Sequence, residues 1–147
     1  MAIREKNGEQ EPVVMLMDSG GGDPHAAVAF HRVIKLKQIN LETIAINRIA
    51  SAAVTVFLAG KTRKCLESAH FMLHEISWPG NKSGRMKLTE VENFCRRADE
   101  ENKRKWKIIE AETKFRQKDI YKKPAHEIRL NARQALKKNF VQEIIKI

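Results

Sequence analysis

A chain of 147 residues fits one domain, and 42% apolar with 31% charged residues reads as a soluble globular protein, excluding disordered and fibrous classes. The longest apolar run, Ala52 to Gly60, is too short to span a bilayer, and the polar start MAIREKNGEQEP has no apolar leader core, so the cytoplasm is the expected compartment and no membrane partner is expected. A net charge of +10 admits a nucleic-acid partner, an acidic substrate or an acidic protein surface.

The first eleven residues read as a flexible lead-in. PVVMLM, residues 12–17, is a short apolar run of the buried-strand kind. Asp18 to Gly22 is a turn. Asp23 and Pro24 then form a helix start, since Asp caps free amides and Pro suits the first helical position. That helix is predicted to run to about Gln38. LETIAIN, residues 41–47, alternates and favours strand, which completes a strand–helix–strand unit of right-handed crossover. Ser51 opens a helix of small residues that runs to about Leu58, and Gly60 ends it. Two short strands are predicted around residues 63–66 and 70–74, followed by a loop over residues 78–84.

From Lys87 to about Phe115 the spacing is helical, with Leu88, Val91, Cys95, Ala98, Trp106 and Ile109 forming a stripe that Asn102 interrupts. So long and polar a helix is expected to project from the body, with part of its stripe covered by a second subunit. Asp119 to Ile128, containing Pro124, reads as a loop. Asn131 caps a last helix, residues 132–138, Asn139 is a left-handed stop, and residues 140–147 read as a final strand. The positive excess lies after residue 80, in segments such as Lys103-Arg104-Lys105 and Lys137-Lys138. On helices such residues form a solvated face, which is preferred here over a nucleic-acid surface. Cys65 and Cys95 lack metal-ligand spacing and are expected as reduced thiols. His25, His31, His70 and His126 likewise show no metal spacing, and Trp78 and Trp106 are expected as packing anchors. No metal and no organic cofactor is expected.

Chemistry concentrates at three places. Gly20-Gly21-Gly22 follows the first strand, Ser51 follows the second, and His74 lies 23 residues beyond Ser51. A serine hydroxyl needs a base to take its proton, a carboxylate to orient that base, and two amides to hold the oxyanion. A serine at a strand-to-helix junction presents its hydroxyl at the sheet edge, and a glycine turn lets a second backbone approach. Taken singly, Ser51 would be a helix cap, His74 a buried histidine and the glycines a turn. No Gly-Lys-Ser/Thr follows the glycines, so a phosphate loop is dismissed.

In order and spacing these segments resemble the proteolytic subunit of the ATP-dependent Clp protease. That family carries an N-S-P-G-G turn and an A-A-S-M-G segment. This chain has Asp18-Ser19-Gly20-Gly21-Gly22 and Ile49-Ala50-Ser51-Ala52-Ala53, with 29 residues from Gly22 to Ser51. The family's R-V-M-I-H-Q falls on His70 to Glu75, and its R-D-x-F-M-S-A-x-E-A on His126 to Ala135. The resemblance implies Ser51 as nucleophile, His74 as base and Glu127 as the orienting acid, with Asp119 and Asp18 as the alternatives. It implies Gly22 and Ala52 as oxyanion amides. Asp23-Pro24 and Glu75-Ile76 would hold a substrate backbone as an added strand. The implied fold is α/β and crotonase-like, of the ClpP type, with repeated β-β-α units. The implied layout is a single domain, residues 1–147, with a head over about residues 11–76 and 118–147 and a handle over about 77–117.

The implied activity is that of a serine endopeptidase acting on unfolded polypeptide, within a homo-oligomer of stacked rings served by a hexameric Clp ATPase. Departures from the family pattern keep a noncatalytic structural subunit as the alternative. Glutamate stands at the aspartate position, Glu75-Ile76 replaces Gln-Pro, and Ala52-Ala53 replaces Met-Gly. The family's leading helix and first strand have no counterpart, so the chain is either a fragment or a shortened member. A nucleic-acid-binding protein is the more distant rival. A coenzyme-A enzyme on the related crotonase fold is disfavoured by the serine and histidine at these intervals.

Overall fold

The computed structural model describes residues 5–6, 9–75, 87–122 and 127–147. A two-stranded hairpin, β1 (Glu5–Lys6) and β2 (Glu9–Gln10), lies within the expected lead-in. The apolar run that follows becomes β3 (Val13–Ser19), paired in parallel with β4 (Leu41–Ala50). Between them runs α1 (Pro24–Leu36). Asp23 starts α1 as expected, its Oδ1 accepting from the amides of His25 at 2.8 Å and Ala26 at 3.4 Å. The β3–β4 register shifts between Met17 and Ser19, so Ser19 faces Ile49 and the chain leaves the sheet there.

Strand β4 is the spine. One edge takes β3. The other edge forks: Glu42–Ala45 pairs in parallel with β5 (Thr62–Leu66), and Arg48–Ala50 pairs in parallel with β6 (His70–His74). On the β5 branch, β8 (Glu143–Ile145) adds in parallel; on the β6 branch, β7 (Glu127–Asn131) adds antiparallel. Two short helices, α2 (Ala52–Phe57) and α4 (Ala132–Lys137), follow β4 and β7. Asn131 caps α4 reciprocally with Gln134, and Asn139 beyond it has φ 59°.

The core runs through a file of aromatic rings. Phe57, Phe71, Phe140 and Phe115 succeed one another at centroid distances of 5.3, 5.7 and 5.5 Å. The long helix α3 (Leu88–Glu112) divides in two. Its first half is largely exposed, Leu88 at 73%. Its second half enters the core, with Trp106 at 2% and Ile109 at 0% exposure. These two members of the apolar stripe are therefore covered by this chain itself and not by a second subunit. No helix among the described residues is long and apolar enough to cross a membrane.

Other expectations shift for local reasons. β7 occupies the end of the segment read as a loop. Its alternation is short, with Ile128 and Leu130 inward and Arg129 and Asn131 outward, and Pro124 masks it in the sequence. The last strand is confined to Glu143–Ile145 because Phe140 and Val141 are side chains of the core, while the Phe140 amide still closes α4 on the Ala135 carbonyl. The loop at residues 78–84 and Pro124 lie outside the described residues. Of the two cysteines, Cys65 is buried and Cys95 exposed, both free. Burial pushes the Cys65 thiol up to about 11.

Candidate active site

Strand β4 ends at Ala50 and α2 begins at Ala52, so the turn from sheet to helix passes through one residue, Ser51. Its φ of 56° and ψ of −127° lie where non-glycine residues are rarely found, and its side chain makes no capping bond. The surroundings hold it there. Its amide donates to the Met72 carbonyl of β6 at 2.9 Å, and its carbonyl accepts from Val54 at 3.1 Å. Gly21, at φ 113°, presses against the same corner. A Cβ at that position would lie 2.7 Å from Ser51 Cβ and 3.0 Å from the Ala50 carbonyl oxygen. The glycine at this point is thus a requirement of close approach. Ser51, expected as the first helical residue, is instead the strained corner before the helix. Strained strand-to-helix turns of this kind lift a side chain clear of the sheet.

A cavity of about 130 Å³ opens beside this corner. Ser51, Ala52 and Thr55 form one side, Gly22, Pro24 and Val28 a second, and His74, Glu75 and Lys105 a third. A second cavity, about 340 Å³, shares Gly22 and Ala52 with the first and is walled by apolar groups of Met17, Ala26, Phe30 and Val56, with Asp23 also on its lining. Ala52, as the first residue of α2, has an amide for which the helix supplies no acceptor.

His74 ends β6, and its ring Nδ1 contacts the carbonyl oxygen of Glu75. With the proton on Nδ1, that contact leaves Nε2 as the acceptor. Glu127 stands directly opposite His74 in the antiparallel β6–β7 ladder. Opposed residues place their Cβ atoms about 5 Å apart on one face. The Glu127 carboxylate, however, accepts from Arg129 Nε. The alternative acids are engaged elsewhere. Asp18 accepts from Asn47 Nδ2 and the Arg48 amide, both at 3.1 Å, and these bonds hold its carboxyl below the usual range. Asp119 accepts from the Arg116 amide at 2.9 Å. Ile76 lies outside the described residues.

The structure thus gathers Ser51, His74, Gly22, Ala52, Pro24 and Glu75 on one cavity, puts Asp23 on the neighbouring one, and turns the Glu127 carboxylate to Arg129. Sequence reasoning missed Lys105, which it assigned to a solvated basic face. Lys105 is buried, and its Nζ donates to the His74 carbonyl at 2.6 Å. Burial pushes its ammonium down to about 8, against the opposing pull of the Glu75 carboxylate. Helical spacing carried a usable signal, since Lys105 lies four residues before the apolar Ile109 on the inward face.

Comparisons with known proteins point to one family and one fold. The Clp protease family profile matches residues 1–147. ATP-dependent Clp protease proteolytic subunit 2 of Treponema denticola is 25% identical over 148 aligned positions, covering 99% of this chain and 72% of that protein. The subunit of the same name from Borreliella burgdorferi is 28% identical, covering 92% and 68%. A solved mutant ClpP1 from Listeria monocytogenes superposes with a TM-score of 0.66 at 22% identity, over 92% of this chain and 74% of that one, and so shares the ClpP-type fold. With its whole length matched by the family profile and its fold shared with ClpP1, the chain belongs to the Clp protease family.

Proposed function

We propose that this protein is a serine endopeptidase of the Clp proteolytic-subunit type. The observation that carries the reading is the strained corner at Ser51, which shares one small cavity with His74 and the glycine turn. In the proposed reaction Ser51 Oγ attacks the scissile carbonyl while His74 Nε2 takes its proton. The amides of Gly22 and Ala52 receive the oxyanion, the proton passes to the leaving amine, and water then releases the acyl group. The neighbouring apolar cavity would take an apolar substrate side chain. Substrate backbone would lie as an extended strand between Asp23-Pro24 and Glu75-Ile76.

The family resemblance supports unfolded polypeptide as substrate, a homo-oligomer of stacked rings, a Clp ATPase as partner and a cytoplasmic setting. Exposed large apolar side chains support assembly, among them Leu16 at 64% and Leu36 at 78% exposure. The first half of α3 is the part of the handle available for contact between subunits. A noncatalytic subunit remains the second reading, favoured by the turn of Glu127 toward Arg129.

Hydrolysis of an unstructured polypeptide decides between them. Wild type should cleave it, and Ser51→Ala should lower turnover by about 10⁴ to 10⁶ with the fold intact. Activity within about tenfold of wild type in that variant removes Ser51 from the chemistry. A folded wild type with no activity alone, which assembles with an active relative, supports the noncatalytic subunit.

A further inference from the structure

The cavity beside Ser51 contains a charge that the proposed chemistry does not use. Lys105 rises from the second half of α3 and is 8% exposed, yet it lines the same cavity as Ser51 and His74. Lysine is almost never buried without a partner. Its ammonium donates to a neutral group, the His74 carbonyl at 2.6 Å, within the field of the Glu75 carboxylate. That carbonyl belongs to the peptide joining His74 to Glu75, and the next carbonyl along is the one that the His74 ring contacts. Fixing this peptide therefore anchors the stretch of backbone between the imidazole and its acceptor.

Other charged groups face Lys105 from each side. His74 and Glu75 lie at the end of β6. Four residues earlier on α3 is Glu101, also buried, whose Oε1 is shared by Arg104 at 2.5 Å and by His25 of α1 at 3.3 Å.

We infer that Lys105 is a positioning residue for the proposed hydrolysis: its charged ammonium holds the His74–Glu75 peptide, and through it the His74 imidazole, in register with Ser51. This rests on the peptidase reading. Lys105 takes no proton from Ser51, so the proton path through His74 is unchanged. A charged donor makes a hydrogen bond roughly twice as strong as a neutral one, so loss of the proton loosens the grip. Burial brings that loss to about pH 8.

The test uses the full-length protein and a fluorophosphonate as probe, with the rate of adduct formation at Ser51 measured from about pH 6 to about pH 10. The wild-type rate should fall about tenfold above a midpoint that coincides with Lys105 titration, followed by NMR on ¹³C-labelled lysine. Lys105→Arg stays charged and should keep the neutral-pH rate within about threefold while losing the alkaline fall. Lys105→Met should react about tenfold more slowly at neutral pH and show no such fall. Circular dichroism checks that each variant is folded. The inference is overturned if the wild-type rate does not change where Lys105 titrates, a comparison that needs no variant. It is also overturned if folded Lys105→Met reacts as fast as wild type. Wild type that forms no adduct at Ser51 overturns the peptidase reading and this inference together, whereas unaffected Lys105 variants beside a reactive wild type overturn the inference alone.

Discussion

Two buried charged regions flank the sheet, and they are built in opposite ways. Around Arg63 every guanidinium N–H has an acceptor. Its Nε donates to Phe140 at 2.8 Å, and its terminal nitrogens reach the carbonyls of Gly60, Asn139 and Glu112 at 3.0–3.2 Å and the Glu112 carboxylate at 3.3 Å. Glu112 also faces Lys35 at 2.8 Å and His31 at 3.4 Å. Around Ser51, by contrast, a strained residue, a crowded glycine and a lysine bonded to a carbonyl meet at a cavity. The first region ties β5, the end of α3 and the α4–β8 turn together. The second combines backbone strain with a buried ammonium whose pKa is pushed down, features that mark sites for chemistry more often than structural ion pairs do.

Breaking the matched region should hurt folding most. Arg63→Met leaves the Glu112 carboxylate short of a partner and removes the Arg63 donor from four carbonyls. A loss of about 3–5 kcal/mol is expected in urea unfolding. The corresponding loss of activity should track only the fraction unfolded. A stability change under about 1 kcal/mol would show that the ion pairs are incidental.

The glycine turn gives the next contrast. Gly21→Ala puts a Cβ 2.7 Å from Ser51 Cβ and tight against the Ala50 carbonyl, and should cost roughly 2–4 kcal/mol together with most of the activity. A Cβ at Gly22 meets nothing within 4 Å, so the φ of 158° is the one strain on Gly22→Ala, and a smaller stability loss is expected. Equal losses in thermal unfolding would remove the crowding argument.

Stability against pH should separate the two regions again. Burial works to raise the Glu112 carboxyl, but the polar contacts with His31 and Lys35 and the charges of Lys35 and Arg63 prevail and hold it at about 2. A carboxyl depressed by folding stabilises the fold above its ordinary value of 4.5, and that stability is lost as pH falls towards about 2. After discounting for partial solvent screening this amounts to about 2 kcal/mol, and Glu112→Gln should flatten the acid limb. Lys105 runs the other way. Its ammonium is depressed by folding, so the penalty is full below about pH 8 and is relieved as pH rises to the ordinary 10.5. The stability difference between Lys105→Met and wild type should shift by that amount across this window. A constant difference would contradict a buried, titrating lysine.

The smallest expected effect concerns Glu127. If its tie to Arg129 keeps the carboxylate from His74, Arg129→Ala should raise turnover a few-fold, and adding Glu127→Gln to that variant should cancel the gain. An unchanged rate in Arg129→Ala would leave His74 oriented by the Glu75 carbonyl alone.

Local chemistry made much of this legible in the sequence. Asp23-Pro24 and Asn131 announce helix starts because their side chains satisfy amides close by, and both caps are present. Ser51, His74 and the glycines were readable because each sits at a strand end. What failed to show depended on distant partners. β7 is short and gains its identity from pairing with β6. Trp106 and Ile109 lie on a stripe whose covering surface no local pattern specifies. Lys105 reads as solvent-facing within Lys103-Arg104-Lys105, although the turn of the helix carries it inward. Glu127 matches by position, but its rotamer is set by Arg129 two residues away.

The peptidase reading requires an activated nucleophile at the strained corner of Ser51. Its most direct test is peptide mapping by mass spectrometry after treatment of the folded protein with a fluorophosphonate. A single adduct on Ser51 is expected, lost in Ser51→Ala and strongly slowed in His74→Ala. No adduct on folded wild type, or an adduct at another residue with Ser51 unmodified, would contradict it.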